Sequence, residues 1–171
     1  MLEVEFVSQR DDDLPLEVQK IGCGVASTMM LLKYHCHPDS IPQFLDLCNE
    51  LRVNDPPSQK GYDGDDFVAG AYAEDEQAYF ARAGLRFRAW FDYPSLQERI
   101  KHGPIMVEFG MNSELGGKEG HWVVLIEVTG RKVIFLDPSY KTRAGRSRYQ
   151  REVSRGEFMR DWSGNAIQII G

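Results

Sequence analysis

The chain has 171 residues, a formal net charge of −6, a hydrophobic fraction of 42% and an aromatic fraction of 11%. This length and composition predict one folded domain over residues 1–171 and exclude a disordered chain. No apolar run approaches the roughly 18 residues of a membrane-spanning helix, and the N-terminal segment lacks the basic start and apolar middle of a signal peptide. We therefore expect cytoplasmic residence, with export by a signal-independent route as the alternative.

The first half of the chain carries mostly helical patterns after one N-terminal strand. Residues 2–8 alternate polar and apolar side chains, which is typical of a strand. A core-facing helix then follows, because Val25, Met29 and Leu32 recur at helical spacing until Pro38. Further along, the patterns predict a helix over about 41–51, an exposed loop over 53–66 and a helix over about 66–84.

The second half of the chain carries β-rich patterns. Residues 85–90 alternate strictly and predict a half-buried strand, and a short helix over 95–100 has Ser95 as its predicted N-cap. Four apolar segments predict further strands, over 105–109, 121–128, 132–136 and 166–170. Helices that precede a mainly antiparallel sheet are typical of an α+β fold in two lobes.

The charged residues are distributed unevenly. Residues 1–80 hold 16 acidic and 5 basic residues, whereas residues 81–171 hold 10 acidic and 15 basic ones. The basic excess concentrates in Lys141, Arg143, Arg146, Arg148, Arg151 and Arg155. Tyr140 and Tyr149 are too few and too far apart for a base-stacking platform, so we do not expect nucleic-acid binding. We predict a solvated loop and strand here, with a dock for an acidic peptide or partner as the alternative.

Three cysteines and four histidines raise the question of a metal site. The cluster His35-Cys36-His37 with Cys48 is the best candidate, but the second closely spaced ligand pair of a zinc site is missing. We therefore expect no metal and no other cofactor. Cys36 and Cys48 then serve as small apolar fillers. An odd number of cysteines also does not suit a complete disulfide framework.

Cys23 is the residue with the most telling surroundings. It lies at the first turn of the predicted buried helix, between Gly22 and Gly24. A thiol attacks a carbonyl only as a thiolate, and the unpaired N–H groups at a helix start favour an anion. The two glycines leave room for a substrate backbone. This position predicts a nucleophilic cysteine.

His121 is the best candidate for a base that activates Cys23. It begins an apolar strand directly after a glycine-rich loop, so that it can face a cleft while the rest of the strand is buried. A three-residue hairpin loop over 128–130 would place His121 directly opposite Asp137 in the next strand. A two-residue loop would place them diagonally. In the direct pairing the carboxylate can accept the other N–H of the imidazole and hold its orientation.

An enzyme of this kind also needs donors for the oxyanion that forms on the attacked carbonyl. The backbone N–H of Cys23 is one such donor, and a side-chain amide usually supplies the other. Gln9, at the end of the first predicted strand, and Gln19, shortly before Cys23, are the two candidates. The pattern of residues alone leaves both open.

These residues lie in motifs that resemble the double-glycine peptidases of the papain-like cysteine protease superfamily, which trim bacteriocin leader peptides. The motifs are Val7-Ser8-Gln9, Cys23-Gly24-Val25-Ala26-Ser27, Gly103-Pro104-Ile105-Met106-Val107, Gly120-His121-Trp122-Val123-Val124-Leu125 and Asp137-Pro138. The resemblance spans most of the chain and implies a papain-like two-lobe fold, with the nucleophile helix in an N-terminal helical lobe. It also implies that Cys23 is the nucleophile, His121 the general base and acid, and Asp137 the orienting residue.

The oxyanion residue depends on which branch of the family the chain is similar to. Stand-alone members carry a glutamine near the end of the first strand, which favours Gln9. Transporter-linked members place it where this chain has Glu17, and the chain shows no transporter segments. The phytochelatin synthases share the Cys-Gly-x-Ala-Ser start but fit the interval between His121 and Asp137 less well.

The resemblance implies a cysteine peptidase that hydrolyses a peptide or isopeptide bond through a thioester. Two alternatives use the same scaffold: a catalytically idle binding module, and an acyl transferase with the same triad. We expect a peptide or protein substrate, with no membrane partner. The glycine-rich loop over 116–120, beside His121, is expected to shape the cleft.

Overall fold

The computed structural model describes residues 1–60 and 70–171. The α-helices within these ranges are α1 (Leu16–Ile21), α2 (Cys23–His35), α3 (Phe44–Glu50), α4 (Ala73–Arg82), α5 (Tyr93–Arg99), α6 (Arg146–Tyr149) and α7 (Arg155–Asp161). The strands are β1 (Phe87–Arg88), β2 (Ile105–Phe109), β3 (His121–Val128), β4 (Lys132–Leu136), β5 (Gln150–Ser154) and β6 (Trp162–Ile169). The α+β class predicted from the sequence is therefore confirmed.

Helix α2 lies at the centre of the molecule. Every residue from Gly24 to Leu32 is buried, so this part of the helix is covered on all sides. It packs against β3 and α3. The helix ends where Cys36 turns extended, and Pro38 then begins a short 3-10 helix. No helix of the described ranges has the length and apolar character needed to cross a membrane.

The six strands form one antiparallel sheet in the order β1-β6-β2-β3-β4-β5. Alternate residues of β3 point to opposite faces, as the strand geometry requires. Trp122 and Val124 enter a core shared with α2 and α4, whereas Val123 and Leu125 enter a second core under α5 and α7. Both faces of the sheet are thus covered, which makes β3 a rigid base for the residue at its start.

The β3–β4 hairpin differs from the predicted register. Its loop is the two-residue turn Gly130–Arg131, closed by a 2.9 Å hydrogen bond from the backbone N–H of Thr129 to the carbonyl of Lys132. A bulge within β3, between Leu125 and Glu127, then shifts the pairing. As a result, Val124 lies opposite Leu136. The prediction of a three-residue loop with His121 directly opposite Asp137 is wrong.

The N-terminal segment and two helix starts also differ from the sequence prediction. Residues 2–6 alternate in exposure as predicted, but the segment over 2–8 forms no strand, because backbone hydrogen bonds tie it to the sheet only near its ends, at Leu2 and Gln9. Helix α3 begins later than predicted because Gln43, its N-cap, is extended. In α5, Asp92 is the N-cap, and Ser95 is its reciprocal partner in the capping box.

Other element boundaries differ from the predicted ones by a few residues or lie outside the described residues. The half-buried strand predicted over 85–90 is only the two-residue β1. The predicted start of a helix near residue 66, and part of the predicted loop over 53–66, lie outside the described residues. Within the described residues, the helix of this region begins at Ala73 with Tyr72 as its cap, and Gly84 follows its end with a φ of 70°, as expected for a C-terminal stop.

Candidate active site

Cys23 is the first residue of α2, at a tight junction with α1. A Cβ atom on Gly22 would lie 2.8 Å from the carbonyl oxygen of Val18, and one on Gly24 would lie 2.6 Å from the Cβ of Ala71. Both positions therefore need glycine because of close packing. The glycines that flank Cys23 hold its backbone against neighbouring segments, so that the helix start and its N–H groups are fixed in place.

His121 and Asp137 are in contact despite the changed register. Continuing the observed pairing places Asp137 opposite Val123, two residues along β3 from His121 and on the same face. The two side chains meet diagonally, with 2.7 Å between His121 Nε2 and Asp137 Oδ1. The side chain of Asp137 is 2% exposed and that of His121 is 14% exposed. The contact is therefore largely shielded from water.

Cys23 and His121 line the same cleft, where the hydrogen bonding and charge of the imidazole act on the thiol. Because Nε2 bonds Asp137, Nδ1 is the nitrogen left for the thiol. Burial acts to raise the pKa of the Cys23 thiol, but the hydrogen bond and charge of His121 and the N–H groups of Trp122 and Gly24 outweigh it, so the pKa lies below its ordinary value. Burial lowers the pKa of His121, and the bonds to Asp137 and Cys23 reverse this and raise it to about 10. The geometry favours a thiolate–imidazolium pair.

The carboxylate of Asp137 has further partners. Its Oδ1 accepts hydrogen bonds from the backbone N–H of Ser139 at 3.0 Å and from the Ser139 hydroxyl at 2.6 Å. Its Oδ2 accepts one from Arg151 Nη1 at 2.8 Å. Burial acts to raise the pKa of Asp137, but His121, Ser139 and Arg151 together hold it well below its ordinary value. Asp137 is therefore an anion in a fixed orientation.

Ser139 and Arg151 are site residues that the sequence prediction missed. An aspartate followed two residues later by serine is a common turn pattern, so Ser139 had a recognisable signal. Arg151 had none, because it reaches Asp137 through the pairing of Phe135 with Arg151 between β4 and β5. Its guanidinium also lies over the ring of Phe135, at 5.5 Å from the ring centroid.

Gln9 and Gln19 have different positions relative to Cys23. Gln9 is buried and lines the cleft beside Cys23. Its Nε2 donates to the carbonyl of Gln19 at 2.9 Å, and its backbone N–H donates to the carbonyl of Pro138 at 2.9 Å. Gln19 instead turns its own side chain to the carbonyl of Leu14. The backbone of Gln19 thus holds the Gln9 amide beside the cleft.

Two cavities of different size meet at Cys23 and His121. The wide limb is a cleft of about 380 Å³, lined by Gln9, Asp137 and the loop over 114–120 as well as by the pair itself. The narrow limb measures about 50 Å³ and is lined by the 70–72 segment and Trp122. Trp122 Nε1 donates to the carbonyl of Ala71 at 3.1 Å, which fixes that wall. The two cavities share Cys23, Gly120 and His121 as lining residues.

Most basic side chains of the segment over 141–155 form ion pairs with acidic side chains of the same chain. The pairs are Lys141 and Arg143 with Asp12, Arg146 with Glu3, and Arg151 with Asp137. Arg155 lies over the ring of Tyr93. The segment therefore ties the acidic N-terminal part of the chain to the sheet and contributes one residue to the site.

Neither the cysteines outside the site nor the histidines near them form a metal-ligand set. Across residues 1–60 and 70–171, no three His, Cys, Asp or Glu side chains converge as metal ligands would. Cys48 is buried in the core with α2, and Cys36 packs at the edge of that core. Burial raises the pKa of both thiols, that of Cys48 to about 11. Cys23 is the cysteine whose surroundings favour the thiolate.

Comparison with known proteins shows likeness in both sequence and structure. The model of the family described as "Peptidase_C39 like family" matches residues 1–168. A putative C39-like peptidase from Bacillus anthracis is 19% identical, with a TM-score of 0.66 and coverage of 98% of this chain and 94% of that chain. No curated protein matches the chain.

Two further solved structures show the same fold. The peptidase domain of Streptococcus ComA, a bifunctional ABC transporter involved in quorum sensing, is 18% identical, with a TM-score of 0.62 and coverage of 96% of both chains. A double glycine motif protease from an AMS/PCAT transporter, in complex with its leader peptide, is 18% identical, with a TM-score of 0.59 and coverage of 98% of this chain and 91% of that chain. At these identities the likeness concerns the fold.

Proposed function

Since the chain belongs to the Peptidase_C39 like family, we propose that it is a cysteine peptidase in which Cys23, His121 and Asp137 form the catalytic triad. The observation that carries this proposal is the 2.7 Å contact between His121 and the buried Asp137, with Cys23 and His121 together lining both cavities. Cys, His and a buried carboxylate in this order of contact have the roles of nucleophile, base and orienting group.

The proposed reaction has two stages. The Cys23 thiolate attacks the carbonyl carbon of a peptide bond, and the resulting oxyanion accepts hydrogen bonds from the Cys23 N–H and from Gln9. His121 donates its proton to the departing nitrogen, the C–N bond breaks, and a thioester to Cys23 remains. A water molecule then gives a proton to His121 and attacks the thioester, which releases a carboxylic acid and restores the thiol. Asp137 stabilises the imidazolium throughout.

A peptide substrate is supported by the shape of the site and by one structural neighbour. That neighbour is a double glycine motif protease with its leader peptide. In this chain, the narrow limb beside Trp122 has room only for small side chains, whereas the wide limb accepts larger ones. We expect the protein to act on an extended peptide with small residues on one side of the cleaved bond.

The reactivity of the three cysteines tests the proposed nucleophile. We expect iodoacetamide to label Cys23 well below neutral pH, because a thiol with a depressed pKa is ionised there, whereas Cys36 and Cys48 should react only in alkaline solution. Peptide mass mapping over a pH series measures all three rates in one sample, so Cys36 and Cys48 act as internal controls.

The variant His121→Ala completes this test. Without the imidazolium, burial raises the thiol pKa, and the labelling rate of Cys23 at acidic pH should fall by about tenfold or more. The proposed Cys23–His121 pair would be overturned if Cys23 had the same labelling profile in the parent and in His121→Ala. It would also be overturned if the profile of Cys23 matched that of Cys36.

Cleavage is measured in parallel on a peptide library, with new N-termini identified by mass spectrometry.

Gln9 is expected to contribute to rate rather than to binding. Replacement by Ala removes one donor to the oxyanion, which forms only during the reaction, so kcat should fall by about 10²–10³ with little change in KM. Gln19→Ala is the matched control, since its side chain faces the carbonyl of Leu14 and not the cleft. A larger loss of kcat in Gln19→Ala than in Gln9→Ala would show that Gln19, and not Gln9, donates to the oxyanion.

A further inference from the structure

The wide limb of the cleft contains positively charged side chains that the proposed triad does not use. Arg10, Lys20, Lys118 and Arg151 all line it together with Cys23 and His121. Arg151 is engaged by Asp137. Within the described residues, Arg10, Lys20 and Lys118 have no carboxylate partner.

The acidic residues that line the wide limb, and the two that directly follow Arg10 in the sequence, are mostly paired with other groups. Asp11 accepts hydrogen bonds from the backbone N–H and hydroxyl of Thr142, and Asp12 pairs with Lys141 and Arg143. At the opposite wall, Glu114 pairs with Arg160. Glu119 also lines the wide limb and is exposed, and it forms no ion pair within the described residues.

The balance of free charge in the wide limb is therefore positive, although the whole chain carries a net charge of −6. Three unpaired cations face one unpaired carboxylate across a cleft of about 380 Å³. The positive charge comes from three separate segments: the N-terminal segment, the last turn of α1 and the loop over 114–120. Such a local field attracts anionic groups over about 10 Å at moderate ionic strength.

We propose that the wide limb selects substrates with acidic side chains close to the cleaved bond, by pairing them with Arg10, Lys20 and Lys118. The inference rests on the proposed peptidase function and names its substrate class: a peptide that carries Asp or Glu within a few residues of the cleaved bond. The three side chains reach the cleft from different walls, so more than one carboxylate can be held at once.

Two fluorescein-labelled decapeptide libraries test this selection, one with Glu and the other with Gln at three fixed positions. Binding is measured by fluorescence anisotropy on the variant Cys23→Ala, which lacks the proposed nucleophile and so cannot hydrolyse the peptides. We expect the Glu library to bind about three- to thirtyfold tighter, since each exposed ion pair contributes little alone. The preference should shrink in about 0.5 M NaCl, which screens exposed charges.

Two triple variants separate local from overall charge. Arg10→Gln, Lys20→Gln and Lys118→Gln together should remove the preference for Glu peptides. Arg86→Gln, Lys101→Gln and Arg131→Gln lower the net charge equally but affect exposed side chains outside the cleft, and should preserve it. The inference would be overturned if Cys23→Ala with its three cleft cations intact bound both libraries equally. It would also be overturned if the preference for Glu peptides survived the replacement of Arg10, Lys20 and Lys118.

Cleavage by the protein with Cys23 intact distinguishes this inference from the proposed function. Tighter binding of Glu peptides without any cleavage would support the acidic preference and count against the peptidase. Cleavage of Glu and Gln peptides at equal kcat/KM would support the peptidase and reject the acidic preference. If both hold, the Glu peptides should differ mainly in KM, because the ion pairs form in the bound ground state as well as in the transition state.

Discussion

Cys23→Ala is expected to abolish peptide hydrolysis, with a loss in kcat on the order of 10⁴-fold or more. The substitution removes the sulfur that forms the thioester, and neither His121 nor Asp137 can replace it. Stability should change little, because alanine is the residue most favourable in a helix and Cys23 is partly exposed at the first position of α2. The measurement is kcat/KM on any peptide that the parent cleaves, together with thermal unfolding.

Cys36→Ala is the matched control for this loss. Cys36 is also a partly exposed thiol at an end of α2, but it is the C-cap and lies outside the cleft. It should keep the activity of the parent. Hydrolysis that persists in Cys23→Ala at the parental rate would mean that the nucleophile is elsewhere or that the activity belongs to a contaminant. Binding without hydrolysis in the parent would favour an idle module on the same fold.

The contact between His121 and Asp137 shows why part of the candidate site could be predicted from sequence although the register was wrong. The predicted pairing and the observed one differ by two residues, and a shift by two keeps every side chain on the same face of a strand. His121 and Asp137 therefore still meet, diagonally instead of directly. The bulge between Leu125 and Glu127 depends on how β3 packs between two cores, and no local residue pattern reveals it.

The remaining parts of the site depend on contacts between distant segments. Arg151 reaches Asp137 because β5 pairs with β4, and the short, partly exposed β5 carries no apolar periodicity. The choice between Gln9 and Gln19 likewise needed the path of the N-terminal segment past Pro138. The segment predicted as a strand over 2–8 has the expected alternation of exposure over 2–6 but lacks the hydrogen bonds of a strand. Local patterns predict elements and faces; long-range pairing decides which side chains share a site.

Glu76→Gln is expected to make the stability of the protein decline less as pH rises above about 4.5. Glu76 is fully buried in α4, where its Oε2 accepts a hydrogen bond from Thr28 and its Oε1 has no partner. Oε1 lies 2.7 Å from the position that a Cβ on Gly24 would occupy, directly beside Cys23. Burial raises the pKa of Glu76 well above its ordinary value, with smaller effects from Thr28, Cys23, Asp75 and Lys60. The side chain is therefore held as a neutral acid.

The sign of the pH effect follows from this raised pKa. Above the unfolded-state pKa of about 4.5 the unfolded chain releases the Glu76 proton while the folded protein keeps it, so unfolding becomes more favourable as pH rises. The stability that the buried neutral acid contributes is fully present below the unfolded-state pKa. It then falls as pH rises from there to the folded-state pKa. The slope is at most about 1.4 kcal/mol per pH unit. Glutamine has no proton to lose, so the variant lacks this decline.

Urea unfolding at a series of pH values measures the difference between the two proteins. The stability of Glu76→Gln relative to the parent should rise with pH, by up to about 3 kcal/mol over two pH units. Glu98→Gln, which removes one exposed carboxylate, is the matched control. A difference that is constant across the series would mean that Glu76 is ionised in the folded protein.

The neutral state of Glu76 also bears on the nucleophile. An anion at this position would oppose the negative charge of the Cys23 thiolate in a site with little water between them. Kept neutral, the carboxyl fills the space beneath Gly24 and bonds Thr28 without that repulsion. Glu76→Gln should therefore leave the acidic labelling of Cys23 by iodoacetamide unchanged, although it changes the pH dependence of stability. A labelling profile that moves to lower pH in Glu76→Gln would show that Glu76 is ionised in the folded protein and repels the thiolate.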